Sequence, residues 1–157
     1  MKVAIDCDDN GIELKKALVD FLRTQDVEVE DLDMLAHQQV DYPDIGFNLA
    51  NRVAHGDFDR GLLICGTGLG MAMIANKVEG IYAGVCHDVY SAERLRKSND
   101  AQIITLGARV IGSEAAKAVV SAWLKSEFEQ RSANKVKRMR ELERENRREP
   151  GPGGNTP

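Results

Sequence analysis

Cysteine is scarce in this chain: Cys7, Cys65 and Cys86 are the only thiols in 157 residues. An odd, widely spaced set of this kind does not make a disulfide scaffold and fits a reducing, cytoplasmic setting. No Cys-x-x-Cys or His-x-x-x-His pair occurs, so a zinc site has little support. Cys86-His87-Asp88 could be drawn as a ligand cluster, but neighbours on a strand point to opposite faces, and the expectation is no metal. No apolar run is long enough to span a membrane, and Met1-Lys2-Val3-Ala4-Ile5 leads straight into a strand rather than a secretory pattern. Aromatic residues make up only 5% of the chain. None is interleaved with the basic residues near the C-terminus, which removes the stacking platform of a single-strand nucleic-acid binder.

The remaining composition is that of an ordinary globular domain, 43% hydrophobic and 29% charged. The net charge of −4 is unevenly spread. Residues 131–149 hold eight basic against four acidic side chains, a local +4 that leaves −8 on the rest. The two signs alternate there, so a solvated helix with i,i+4 ion pairs is expected.

Apolar runs and helical spacing alternate along the chain. Strands are predicted at Val3–Ile5, Val27–Val29, Leu62–Ile64, Tyr82–Val85 and Ile103–Leu106. Between them come a helix with Leu14, Leu18 and Leu22 inward, another from Ile45 to His55, a third from Met71 to Val78 and a short one from Tyr90 to Lys97. A last core helix, capped by Ser113, is predicted to run to about Phe128 with Ala115, Ala118, Val119, Ala122 and Trp123 inward. The fold class is therefore α/β: a three-layer αβα sandwich on a five-stranded parallel sheet, Rossmann-like, of order 2-1-3-4-5. Residues 1–137 form one domain. Residues 138–157 are expected to add a charged helix that contributes little to the core, then a disordered Pro/Gly tail.

In that order the switch point lies between the first and third strands, and ligands bind beyond their carboxyl ends. The loop after the third strand reads Cys65-Gly66-Thr67-Gly68-Leu69-Gly70. A thiol at a buried strand end, followed by three glycines and a helix N-terminus, gains backbone N–H donors that favour the thiolate and a nearby anion. The loop after the first strand brings Asp6, Asp8 and Asp9 to the same crevice. One suffices to cap a helix, and three crowded carboxylates repel, so at least one has other work. The glycine spacing is not G-x-G-x-x-G and no Walker lysine follows, which argues against a nucleotide-binding module.

These residues resemble a known family, the type B ribose-5-phosphate isomerases with the galactose-6-phosphate isomerase subunits. The resemblance covers roughly residues 1–137. It rests on Lys2–Ile5 with Asp8 and Gly11–Lys15, on Val40-Asp41-Tyr42-Pro43-Asp44, Ile64-Cys65-Gly66-Thr67-Gly68, Ala75-Asn76-Lys77-Val78, Cys86-His87-Asp88, Ser91-Ala92 and Leu106-Gly107-Ala108-Arg109-Val110-Ile111-Gly112, in that order. The resemblance implies a metal-free, cofactor-free aldose–ketose isomerase of sugar phosphates that works through a cis-enediolate. It implies Cys65 as the base, Thr67 with the Gly66, Gly68 and Gly70 amides around the enediolate oxygens, and Asp8 on substrate hydroxyls or the oxygen proton. It also implies Asn99 as a substrate contact and Arg109, Arg131 and Lys135 as phosphate ligands, Lys135 standing where arginine is usual. Family members are dimers with composite sites, so a homodimer, or a dimer of two such dimers, is implied; neither nucleic acid nor a membrane is expected as a partner.

Two departures bear on the substrate. Against the family pattern, Asp9 replaces a histidine that contacts phosphate, so it would repel a phosphate there unless it turns away or binds a substrate hydroxyl, and it is counted as a substrate contact; Ser98 replaces the histidine assigned to opening the sugar ring. Ser98 has no basicity near neutral pH. A four-carbon sugar phosphorylated at C4 has no ring to open, and Ser91-Ala92-Glu93-Arg94 with Ala101–Thr105 resembles the branch that isomerises erythrulose 4-phosphate and erythrose 4-phosphate. The alternatives are ribose 5-phosphate as substrate, or a non-catalytic family subunit. Retention of both Cys65 and Thr67 argues against the last.

Overall fold

A computed structural model describes residues 1–148. The predicted tail from Glu149 onward lies outside the described residues. Five parallel strands form one sheet: β1 (Lys2–Cys7), β2 (Glu28–Asp31), β3 (Arg60–Cys65), β4 (Ala83–Val85) and β5 (Ile103–Gly107). Helices α1 (Ile12–Leu22) and α6 (Ser113–Lys125) contribute to the core on one face of the sheet. Helices α3 (Tyr42–Ala54) and α4 (Leu69–Ala75) contribute to the core on the other. The chain also forms α2 (Met34–His37), α5 (Val89–Lys97) and α7 (Ala133–Arg148).

The fold class is as the sequence predicts, but the strand order is β2-β1-β3-β5-β4 rather than 2-1-3-4-5. The two last strands compete for the place beside β3. Every residue of β5 is buried, whereas all three of β4 are only half-covered. The longer, wholly buried strand takes the interior, and the short Ala-Gly-Val strand is left at the edge. Because β1 still adjoins β3, the predicted crevice between their loops is unaffected.

Three local expectations are corrected. Gly112, not Ser113, is the residue before the first turn of α6, and no side chain caps that helix. Its buried face is Ala116, Val119, Val120, Trp123 and Leu124, while Ala115 and Ala118 point outward. The small residues of Ala-Ala-Lys-Ala-Val-Val fit two frames, and the bulk of Val120 and Leu124 selects one. Third, the helix predicted from Ile45 begins three residues earlier, at Tyr42, where Asp41 accepts the Tyr42 N–H at 2.7 Å. Proline is welcome in the first turn because its missing N–H would have no helical partner there.

The C-terminal end of α6 is closed by a buried cation. Arg60 donates to the carbonyls of Trp123 at 2.8 Å, Leu124 at 3.0 Å and Ser126 at 3.0 Å. These are the orphan acceptors at the negative end of the helix. Helix α7 buries Val136 near its start, on the cavity it shares with α5, and is then held through polar contacts. Glu143 accepts from the Tyr82 hydroxyl at 2.9 Å and the Gly80 N–H at 3.2 Å, and Arg140 pairs with Asp100 at 2.8 Å. The extension beyond residue 138 therefore adds no buried side chain among the described residues, yet it is tied to the body.

Candidate active site

Cys65 ends β3 with its side chain buried, and the Gly68 N–H donates to its sulfur at 3.1 Å. That bond needs a sharp reversal, which Gly68 supplies at φ +80°. A side chain there would also press on the Leu106 backbone. Thr67 accepts the Leu69 N–H at 3.3 Å through its hydroxyl. Its backbone lies so close to Gly107 that a Cβ at 107 would approach it to 2.7 Å. The end of β5 grips the loop further: Ala108 N–H donates to Cys65 O at 2.8 Å, Arg109 N–H to Gly66 O at 3.0 Å, and the Thr105 hydroxyl to Gly68 O at 2.9 Å. His87 accepts the Gly107 N–H at 2.8 Å on Nε2, so it buttresses the loop from behind. Gly70 has a packing duty as well, since a side chain there would meet the Tyr42 ring at 2.6 Å.

The three cysteines sit in different surroundings. Burial pushes the Cys7 thiol up to about 12 and the Cys86 thiol up to about 11, which keeps both protonated. Cys65 is the one whose sulfur accepts a backbone N–H at the start of a helix.

The three aspartates of the first loop divide their work. Asp6 is fully buried, accepts the Cys7 N–H at 2.8 Å and the Met34 N–H at 3.4 Å, and lies 3.9 Å from Lys15. Burial raises it to about 6 against the pull of those donors. Lys15 in turn bonds Asp31 at 2.8 Å and Asp33 at 2.9 Å, and these carboxylates outweigh its own burial to hold its proton more firmly. Asp8 caps the turn of Asp9–Gly11, accepting from Asn10 N at 2.9 Å and Asn10 Nδ2 at 3.3 Å. Asn10 accepts from Arg109 through its own side-chain oxygen. Asp8, Asn10 and Arg109 thus form a chain across the crevice in front of Cys65. Asp9 is exposed and borders a shallow hollow with Asp8, Asp41 and Asp44. A phosphate brought to that side would meet carboxylates.

Asn99, Arg131 and Lys135 are together elsewhere. They line a cavity of about 550 Å³ between α5 and the start of α7, also bordered by Tyr90, Arg94 and Ser98. No residue of the Cys65 loop and neither Asp8 nor Asp9 lines it. Arg109, grouped by sequence with the phosphate ligands, belongs to the Cys65 side. The charged residues lining the cavity are all cations. Glu129 stands behind them, bonded to Arg131 at 2.7 Å and more loosely to Arg94 at 3.3 Å. The Arg94 guanidinium, aided by Arg131, holds the Glu129 carboxyl below the usual range.

Sequence reasoning missed Asn10, His87, Arg94 and Glu129 as members of these clusters. Asn10 directly follows the acidic pair, and His87 stands in a segment weighed for metal ligation and counted in the family resemblance, with no role given to its ring. Asp88 caps α5 by accepting the Ser91 N–H at 2.7 Å. His87 and Asp88 therefore both have structural partners.

The geometry matches known proteins. The family model described as "Ribose/Galactose Isomerase" matches residues 3–140. A Listeria innocua protein named "Ribose-5-P isomerase B" is 49% identical over 94% of this chain and 100% of its own. A Pectobacterium atrosepticum protein named "D-erythrulose-4-phosphate isomerase" is 48% identical over 82% of this chain and 86% of its own. Among solved structures, Clostridium thermocellum ribose-5-phosphate isomerase B superposes with a TM-score of 0.87 at 44% identity, covering 93% of this chain and 99% of that one.

Proposed function

The chain belongs to the ribose/galactose isomerase family and is an aldose–ketose isomerase of sugar phosphates, and we propose that its substrate pair is D-erythrulose 4-phosphate and D-erythrose 4-phosphate. The observation that carries the proposal is Ser98. It lines the cationic cavity beside Asn99, where a ring-opening imidazole would be needed for a furanose phosphate. A hydroxyl of ordinary acidity cannot relay a proton near pH 7. An open-chain tetrose phosphate needs no such relay.

In this reading the Cys65 thiolate takes a proton from C1 of the ketose. The electron pair of that C–H bond forms the C1=C2 bond of a cis-enediolate, and the charge moves to O2. The oxygen proton then passes from O1 to O2, the C1–O1 carbonyl forms as the C1=C2 pair takes the proton back from the Cys65 thiol at C2, and the aldose and the thiolate result. The Gly68 N–H donates to that sulfur at 3.1 Å and fixes where it points. Thr67 and the amides of Gly66, Gly68 and Gly70 stabilise the enediolate oxygens, a preorganised role worth a few kcal/mol, ~3, in comparable sites. Asp8, held by Asn10, orients substrate hydroxyls and moves the oxygen proton.

Phosphate is held by Arg131 and Lys135, with Asn99 on the sugar and Arg109 linking through Asn10. Because these cations lie in a cavity that the Cys65 loop does not enter, the complete site takes the loop from one protomer and the cavity from its partner in a homodimer. No cofactor or metal takes part in this scheme.

Ribose 5-phosphate is the second reading, favoured by the full-length match to the Listeria protein. The two are separated by kcat/KM for both substrates under one set of conditions. The tetrose should be preferred, and an equal or better value for ribose 5-phosphate rejects it as the substrate. Ser98→His should raise ribose 5-phosphate turnover more than tetrose turnover, since only the former has a ring to open.

A further inference from the structure

Arg94 is not among the residues the sequence singles out for substrate, yet it lines the same cavity as Asn99, Arg131 and Lys135. Its guanidinium reaches in from α5, with its carbon 6.0 Å from the centre of the Tyr90 ring. Every bond it makes is loose. Nη1 lies 3.4 Å from Ser98 Oγ and 3.4 Å from Glu129 Oε2, and Nη2 lies 3.3 Å from Glu129 Oε1. A well-formed guanidinium–carboxylate bond is about 2.7–2.9 Å. Glu129 makes its short bond, 2.7 Å, to Arg131 instead. Arg94 Nε is buried and has no partner among the described residues.

A guanidinium carries five N–H donors in a rigid fork and cannot give up its charge. Here that fork is under-used, and it borders a cavity whose lining contains cations and no carboxylate. A planar set of unspent donors matches the oxygens of a phosphate dianion. Glu129, reaching from outside the lining, is the single negative charge shared by Arg94 and Arg131. Without a counter-ion these two cations would repel each other. The short side chain at position 98 also matters. An imidazole would occupy the space where Nη1 now meets the Ser98 hydroxyl, one helical turn on from Arg94.

We propose that Arg94 is a third phosphate-binding cation of this cavity, beside Arg131 and Lys135, and that Glu129 is the counter-ion holding Arg94 and Arg131 until the phosphate takes its place. The inference rests on the reading that Asn99, Arg131 and Lys135 hold the phosphate, but not on which sugar carries it. Arg94 and Ser98 then form one unit: the serine leaves room for the cation that an imidazole would displace.

The test is calorimetric titration of the full-length protein with inorganic phosphate, which needs no turnover. Arg94→Met should weaken phosphate binding about ten- to a hundredfold, the loss expected for a charge-assisted bond. Arg94→Lys should recover part of that loss. Glu129→Gln should act with the opposite sign and tighten phosphate binding, because it removes the competing carboxylate. A change of less than twofold in Arg94→Met overturns the proposal. So does weaker binding in Glu129→Gln, which would mean that Arg94 and Glu129 only brace Arg131. Should Arg94→Met fail to fold, the sign of the Glu129→Gln effect decides alone. KM values for erythrulose 4-phosphate and ribose 5-phosphate, measured on the same variants, separate this inference from the substrate assignment. If Arg94→Met weakens phosphate binding in a protein that prefers ribose 5-phosphate, the cation assignment holds and the tetrose assignment falls.

Discussion

Removing the Glu143 carboxylate tests whether α7 is held by the body of the protein or merely continues from it. Glu143 accepts from the Tyr82 hydroxyl at 2.9 Å and the Gly80 N–H at 3.2 Å, and pairs with Arg147 at 3.2 Å. Its side chain is only 19% exposed, so water does not fully replace these partners. The hydroxyl–carboxylate bond is worth roughly 1.5–3 kcal/mol. The Gly80 bond adds about 0.5–1 kcal/mol at an exposed site, and the helical ion pair with Arg147 about 0.3–0.5 kcal/mol. Glu143→Ala should therefore cost on the order of 2–4 kcal/mol. For a chain of this length that is a fall in Tm of roughly 5–15 °C. Urea and thermal unfolding at fixed protein concentration give both numbers. Tyr82→Phe and the double variant complete a cycle, and a coupling of about 1–2 kcal/mol between the two sites is expected. A Tm within about 2 °C of wild type, or strict additivity in the cycle, would refute the docking argument. The same variant reports on the cavity, since Lys135 and Val136 open the helix that Glu143 anchors.

Cys65→Ala should abolish isomerisation with the fold unchanged by circular dichroism, and retention of more than about a tenth of activity would place the base elsewhere. Asp6 lies at about 6 in the folded protein against an ordinary 3.8, so between those values the native state keeps a proton the unfolded chain has released. Stability should drain by roughly 3 kcal/mol as pH rises through that window; the unfolding free energy of wild type minus Asp6→Asn, measured at pH 4 and pH 7, should fall by about that much, and a flat difference would contradict it.

What could be read from the residues follows the range of the interaction that decides each feature. Strand cores such as Leu62–Ile64 and Ile103–Leu106 are continuous apolar runs, so their place in a sheet is written locally. Which of the last two strands lies beside β3 is a contest between segments 20 residues apart, and only burial in the whole molecule resolves it. On α6 Val119 and Trp123 are inward as the spacing predicts, but Ala115 and Ala118 are not, since a run of alanines carries no strong periodicity until Val120 and Leu124 find the core. The four residues of α2 are too few to show a period at all. At the site, the Cys65 loop was legible because strand end, glycines and helix start are consecutive. The Asn10–Arg109 contact spans 99 positions, and Glu129 reaches Arg94 across 35. No local pattern announces such pairs.

The distribution of charge explains why one chain cannot present the whole site in this reading. On the side of the Cys65 loop, Asp8 and Asp9 border a hollow with Asp41 and Asp44, and Arg109 is engaged by Asn10. In the proposed mechanism an enediolate also forms there, adding negative charge at the moment of reaction. A phosphate dianion in the same place would raise the barrier by repulsion, whatever the thiolate contributes. The cations lie instead in the cavity between α5 and α7, where the lining has no carboxylate and no thiol. Separating the two functions lets each environment be tuned alone: donors and a thiol where carbon chemistry occurs, arginines and lysine where the phosphate is gripped. On the proposed tetrose reading, a sugar phosphate short enough to stay open-chain would bridge the two, its reacting end on one protomer and its charged end on the other. Position 98 acts at the junction. There a histidine would serve a ring, whereas a serine leaves the Arg94 guanidinium free to reach the phosphate.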